Sequence, residues 1–296
     1  MFTLIKNISK KFKPWGFEGL SIYDVTIFFW KGLMEGAITT RASSLAFNFF
    51  LAFFPAIIFL FTLIPYIPIE GFQETLMDLL ASVLPPSTNE ITTKTIDDIV
   101  NNPRGGLLSI GFVLALYFAT NGVNSLIEAF NSSFHIRESR SLLYQKYLSL
   151  VITLILTIML ILTISLLIIG KGYLEHLLSI EFISQENLHW YSFSRLILVG
   201  LMLFFGVSLL FHLAPAKRKK WKTFTPGTIL STIFIIITSL LFSYYINNFS
   251  QYNQIYGSIG TLIIILLWIY FNAIILLTGF ELNASILNAS KNKEKL

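Results

Sequence analysis

In a chain of 296 residues that is 54% hydrophobic and only 12% charged, few side chains can do chemistry, so their spacing is informative. Arg41, Ser44, Asn48 and Pro55 follow at steps of three, four and seven, which aligns them on one face of a helix. Pro55 has no amide donor and frees the carbonyl of Leu51, so this helix is expected to be polar-striped and kinked. The kink serves either packing or a cavity-lining hinge. Asn121, Asn124, Ser125 and Glu128 make a second stripe, and Asn272, Gly279 and Asn283 a third, with Glu281 close by. In lipid such groups must face other helices or water, which makes each a packing contact or part of a pathway wall. Arg41 is placed to neutralise Glu128 or Glu281; the alternative is that all three snorkel into the headgroups. The hydroxyls of Thr225, Thr228, Thr232, Ser239 and Ser243 fall mostly on one side of their helix and read as packing groups.

Enzyme chemistry finds little footing. The sequence has no His-Glu-x-x-His, no Gly-x-Ser-x-Gly, no P-loop and no dinucleotide fingerprint. Ser258 lies between Gly257 and Gly260 without an evident histidine to activate it, and Asp97 and Asp98 are adjacent rather than convergent. There is no cysteine, and His135, His176, His189 and His212 are too scattered for a local metal motif. No catalytic residue, metal or cofactor is therefore expected.

The elements that must position the polar stripes are membrane helices. Soluble domains carry about 25% charged residues, and the mean hydropathy of +0.71 points the same way. Six stretches are long and apolar enough to cross ~30 Å of hydrocarbon: about 42–66, 107–128, 147–169, 196–213, 226–246 and 258–280. The expected fold is all-α: a polytopic membrane protein of six transmembrane helices. An N-terminal interfacial amphipathic helix over 15–37 has Trp15 and Trp30 as headgroup anchors, and short helices over 71–84 and 88–101 occupy an outer loop at 67–106. Residues 1–296 read as a single membrane domain, with 1–40 as a cytoplasmic or interfacial segment and 284–296 as a cytoplasmic tail. The second outer loop, 170–195, has room for another helix, and the uncharged third loop, 247–257, for a dip into the membrane edge.

Charge gives the orientation. With the N-terminus in the cytoplasm, all of the 21 basic residues except Lys94, Arg104, Lys171 and Arg195 fall on the inner side. This positive-inside pattern expects both termini in the cytoplasm. The net charge of +5 is thus a topology signal, and nucleic acid is not an expected partner because the basic residues are split among separate inner segments. The densest cluster, Lys217, Arg218, Lys219, Lys220 and Lys222, is suited to anionic-lipid contact.

Three motifs in order carry a family resemblance. Arg41-Ala-Ser-Ser-Leu-Ala-Phe-Asn-Phe-Phe-Leu-Ala-Phe-Phe-Pro55 resembles the opening motif of the YihY/BrkB family of bacterial inner-membrane proteins. Asn121-Gly-Val-Asn-Ser-Leu-Ile-Glu-Ala-Phe-Asn131, with the basic turn at 137–140, is similar to its second-helix signature. Tyr256-Gly-Ser-Ile-Gly260, Leu267-Trp-Ile-Tyr270 and Gly279-Phe-Glu-Leu-Asn-Ala284 resemble its C-terminal signature. The resemblance covers about 20–290 and implies a six-helix protein of the bacterial inner membrane, a link to virulence, and movement of envelope lipids or their precursors. It brings no established catalytic residues. The ribonuclease label once attached to the family finds no supporting cluster of His and Asp in this chain. The expected function is a transporter or lipid-translocating protein with a polar cavity between spans one, two and six, acting on a lipid or small molecule. The alternative is a non-catalytic scaffold for envelope assembly. Oligomeric state is not legible.

Overall fold

The computed structural model describes Pro14 and residues 16–35, 37–63, 105–133, 139–179, 188–216, 223–248 and 251–293. Among these the regular structure is helix without strands: α1 (Ile22–Glu35), α2 (Ile38–Leu63), α3 (Gly105–Asn131), α4 (Leu142–Ser179), α5 (Leu188–Leu213), α6 (Pro226–Asn248) and α7 (Gln251–Lys293). The helices of the expected outer loop (71–84 and 88–101), Trp15 and the basic cluster from Lys217 to Lys222 lie outside the described residues.

Among the described residues, five helices contain spans apolar and long enough to cross a membrane: Gly105–Asn131, Leu142–Leu167, Phe193–Leu213, Pro226–Tyr245 and Leu262–Leu287. A sixth is reached by counting α1 and α2 together as one bent span, Val25–Met34 plus Ile38–Ala56, with a 62° bend. The expected count of six thus holds with this qualification about its first member. The sharp turn lies at Ala37, which has a left-handed φ of 44°, whereas α2 continues as helix through Pro55.

The second and third outer loops are partly helical. Helix α4 has 38 residues and α7 has 43, about 57 and 65 Å at 1.5 Å per residue, so both outrun the hydrocarbon. Their ends, with the start of α5, take up much of the second and third outer loops, 170–195 and 247–257. Both flanks of those loops are continuous with apolar helix, so the intrahelical hydrogen-bond ladder extends into them. Within the segment read as a cytoplasmic tail, 284–293 is helix, and Ala284, Ser285, Ile286 and Ala289 are buried.

The chain forms two compact units, Met1–Ala46 with Val123–Leu296, and Phe47–Gly122. In the smaller unit α2 and α3 approach closely where Gly111 faces the Phe59 backbone and Gly122 faces the Phe49 ring. The Phe59 and Phe112 rings meet there at 5.3 Å. In the larger unit α7 packs on α6 and α1, and α5 on α4 and α6. Its core includes fully buried Leu45, Leu126, Ile127, Phe130, Ile152 and Leu277. Most other large apolar side chains on α3, α4 and α5 face outward, as expected where the surrounding solvent is lipid rather than water.

Candidate functional site

Within the larger unit, the first turn of α2, the last turn of α3 and the last third of α7 converge on a buried ion pair. Glu281 is 0% exposed and Arg41 10%, with Nη2 and Oε2 3.8 Å apart. The guanidinium is held by α3, because Arg41 Nη1 donates to the Ala129 carbonyl at 2.6 Å. Ser133 supplies a further hydroxyl neighbour to the carboxylate. Burying a carboxylate in apolar surroundings is tolerable only with such partners.

Ala129 and Glu281 each have an aromatic neighbour in sequence. Phe130 and Phe280 stack at 4.2 Å with planes 13° apart, and Phe211 packs edge-on to both, at 5.6 and 5.9 Å. From α1, Gly32 lies directly on the carboxylate: a Cβ there would fall on Glu281 Oε1 and within 2.8 Å of its Cδ. The missing side chain therefore makes room for the charge. Glycine was the signal in the sequence, but nothing in residues 22–35 reveals that their partner lies some 250 residues away.

Below the pair, Asn283 ties α7 to the start of α6. Its Oδ1 accepts from the Gly227 amide at 2.9 Å and its Nδ2 donates to Thr225 Oγ1 at 2.8 Å. Thr225 also accepts from the Thr228 amide at 3.2 Å, the bond an N-cap hydroxyl makes, with Pro226 at the first helical position where its missing N–H is no loss. Asn283→Ala is expected to remove the Gly227 contact and destabilise the detergent-solubilised protein by about 1 kcal/mol, read as a fall in thermal unfolding midpoint. An unchanged midpoint would mean that water replaces the asparagine.

The other candidates distribute differently. Glu128 is not Arg41's partner: it is exposed and accepts from Asn124 Nδ2 at 2.6 Å. Helix geometry explains this, since Ala129 and Glu128 point 100° apart and the bundle takes the Ala129 side. Asn124 is buried and links α3 to α4, its Oδ1 accepting from Ser149 Oγ at 3.2 Å. Ser44 is exposed, so it does not share Arg41's buried setting. Asn272 bonds back to the Trp268 carbonyl of its own helix at 2.7 Å and does not join the cluster. Asn48, Asn121 and Pro55 belong to the smaller unit, where Pro55 is buried and both asparagines are half-buried.

Two residues outside the original stripes fix the end of α5. Asn131 accepts from the Ala216 amide at 2.8 Å, and Arg140 donates to the Ala214 carbonyl at 2.7 Å. The first holds an amide of the turn that follows α5, and the second satisfies a carbonyl at its end.

Residues 29–296 match the family description "Virulence factor BrkB". The chain belongs to the BrkB family. It is 30% identical over 248 residues to YfkH of Bacillus subtilis, a protein named ribonuclease-like, covering 83% of this chain and 88% of that one. It is 26% identical over 271 residues to a UPF0761 membrane protein of Haemophilus influenzae, covering 90% and 96%. A UPF0761 membrane protein of Stenotrophomonas maltophilia is 23% identical over 261 residues, covering 88% of this chain and 60% of the relative. No solved structure matches. This BrkB-family chain is thus a helical membrane protein, and its buried ion pair lies inside the matched region.

Proposed function

We infer that this BrkB-family protein is a transporter or a lipid- or envelope-precursor-translocating protein of the bacterial inner membrane, and that Arg41 and Glu281 hold the cytoplasmic side of its path closed. The observation that carries this reading is a fully buried carboxylate facing a guanidinium where three apolar helices meet. Ionisable groups at membrane depth are expensive, and they recur where helices move past one another or a polar substrate passes. A pair 3.8 Å apart, without the fork of a bidentate bond, is a contact that can open. The positive-inside distribution supports a cytoplasmic setting for this end of α2 and α7, and the basic cluster of the sequence, 217–222, is of a kind that suits anionic lipid headgroups. The ribonuclease-like name belongs to the Bacillus relative, and the sequence here carries no cluster of His and Asp that points to that chemistry.

The test is reconstitution in liposomes carrying fluorescent phospholipid or trapped small solutes. Movement above that of protein-free vesicles is expected, with a changed rate in the Arg41→Met, Glu281→Met double variant. No movement of lipid or solute, together with unaltered envelope lipids in a deletion strain, would overturn the reading. A stoichiometric protein partner recovered by crosslinking in its place would favour the scaffold.

A further inference from the structure

Helix α1 is apolar on opposite faces. One face packs on α7, where Leu20, Val25, Ile286 and Ala289 form a buried cluster and Gly32 meets Glu281. The other repeats at steps of three and four through Tyr23, Thr26, Ile27, Trp30, Lys31 and Met34, which line an open groove of about 530 Å³. On this outward face Ile27 is 50%, Trp30 59% and Met34 66% exposed. A helix bordering water presents a polar outer face, whereas one with apolar residues all round is covered by protein or lipid.

Three observations choose lipid, and an anionic one. Helix α1 is held at the membrane: its Gly32 touches Glu281 inside the apolar span Leu262–Leu287. Its charged lining residue is cationic, Lys31. Trp30 and Tyr23 are the ring types that settle at headgroup level. We propose that the outward groove of α1 is a binding site for an anionic phospholipid, its acyl chains against Ile27, Trp30 and Met34 and its headgroup phosphate beside Lys31. This site stands whether or not the protein transports anything.

The experiment places the full chain in phosphatidylcholine vesicles containing a minor fraction of brominated phosphatidylglycerol or brominated phosphatidylcholine. Trp15, Trp190, Trp221 and Trp268 are replaced by Phe so that Trp30 alone reports. Quenching is expected from both lipids, with a relative association constant about fivefold in favour of phosphatidylglycerol, falling to about one in Lys31→Gln, since one basic side chain near an anionic surface is worth about that factor. Equal quenching by the two lipids in the Lys31 protein would overturn the proposal by making the groove ordinary bilayer contact. Quenching by neither, with Trp30 open to aqueous iodide or covered by a second copy, would overturn it as well. If the four-Trp variant does not fold, native mass spectrometry of the otherwise unaltered protein and of Lys31→Gln reads the same preference as retained phosphatidylglycerol over phosphatidylcholine. Equal retention of the two lipids by the unaltered protein, or a preference unchanged in Lys31→Gln, would sink the proposal there.

Discussion

Arg41→Ala is expected to destabilise the protein by about 3–5 kcal/mol, because it leaves a carboxylate buried without its counter-charge. Glu281 is 0% exposed, and the Gly32 backbone packs against it, so water has little access to take the place of the guanidinium. The retained partners, such as Ser133, are neutral and compensate only in part. Glu281→Ala should be similarly harmful, since it strands the guanidinium with only the Ala129 carbonyl. The Arg41→Met, Glu281→Met double variant should recover most of the loss, because a buried pair and a well-packed apolar replacement are often nearly equal in stability. Reversible unfolding in mixed micelles reads all three. If each single variant shifts stability by under about 1 kcal/mol, the pair behaves as a solvated one, and the closed site described above is wrong. Recovery in the double variant also matters for function, because it supplies a folded protein lacking the charges.

Gly279→Ala should destabilise by about 2–3 kcal/mol, near the top of the range for overpacking, although alanine is the better helix former. A Cβ at Gly279 would fall on Ser231 Oγ and come within 2.7 Å of the Gly227 carbonyl oxygen. That oxygen belongs to the α6 backbone, so no rotamer change relieves the overlap and α7 must move away from α6. The same shift would loosen the Asn283 bond to the Gly227 amide, now 2.9 Å. Gly206→Ala is the control: its Cβ would meet only side-chain carbons, at 3.9 Å. There the helix-propensity gain of about 0.5–1 kcal/mol should appear as a stabilisation. Opposite signs are expected for the same chemical change in two glycines of apolar helices. A stabilised Gly279→Ala protein would mean that α6 and α7 do not cross at this point.

Much of the site was legible as a list but not as a meeting. Arg41, Glu281 and Asn283 stand out because charged and amide groups are rare in apolar helices, and helical period puts each on a definable face. Choosing between Glu128 and Glu281 as Arg41's partner needed more, since both acids lie at the ends of their spans and periodicity treats them alike. The structure separates them by burial, with Glu128 exposed and Glu281 enclosed. Gly32 and the Gly227–Gly279 crossing carried almost no signal. A glycine records that something comes close but not what, and these partners are far away in sequence.

What the sequence alone determined follows from solvation: low charge, long apolar runs and basic residues sorted by segment describe a helical membrane protein, because each depends on transfer from water to lipid, residue by residue. What the tertiary structure decided depends on which helix faces touch. It bent the chain at Ala37 rather than interrupting α2 at Pro55, continued α7 through the expected tail, and closed α1, α2, α3 and α7 around one ion pair. Hydropathy is nearly uniform around these helices and so cannot specify their rotation. Close packing at glycines and the need to pair a buried charge set it instead.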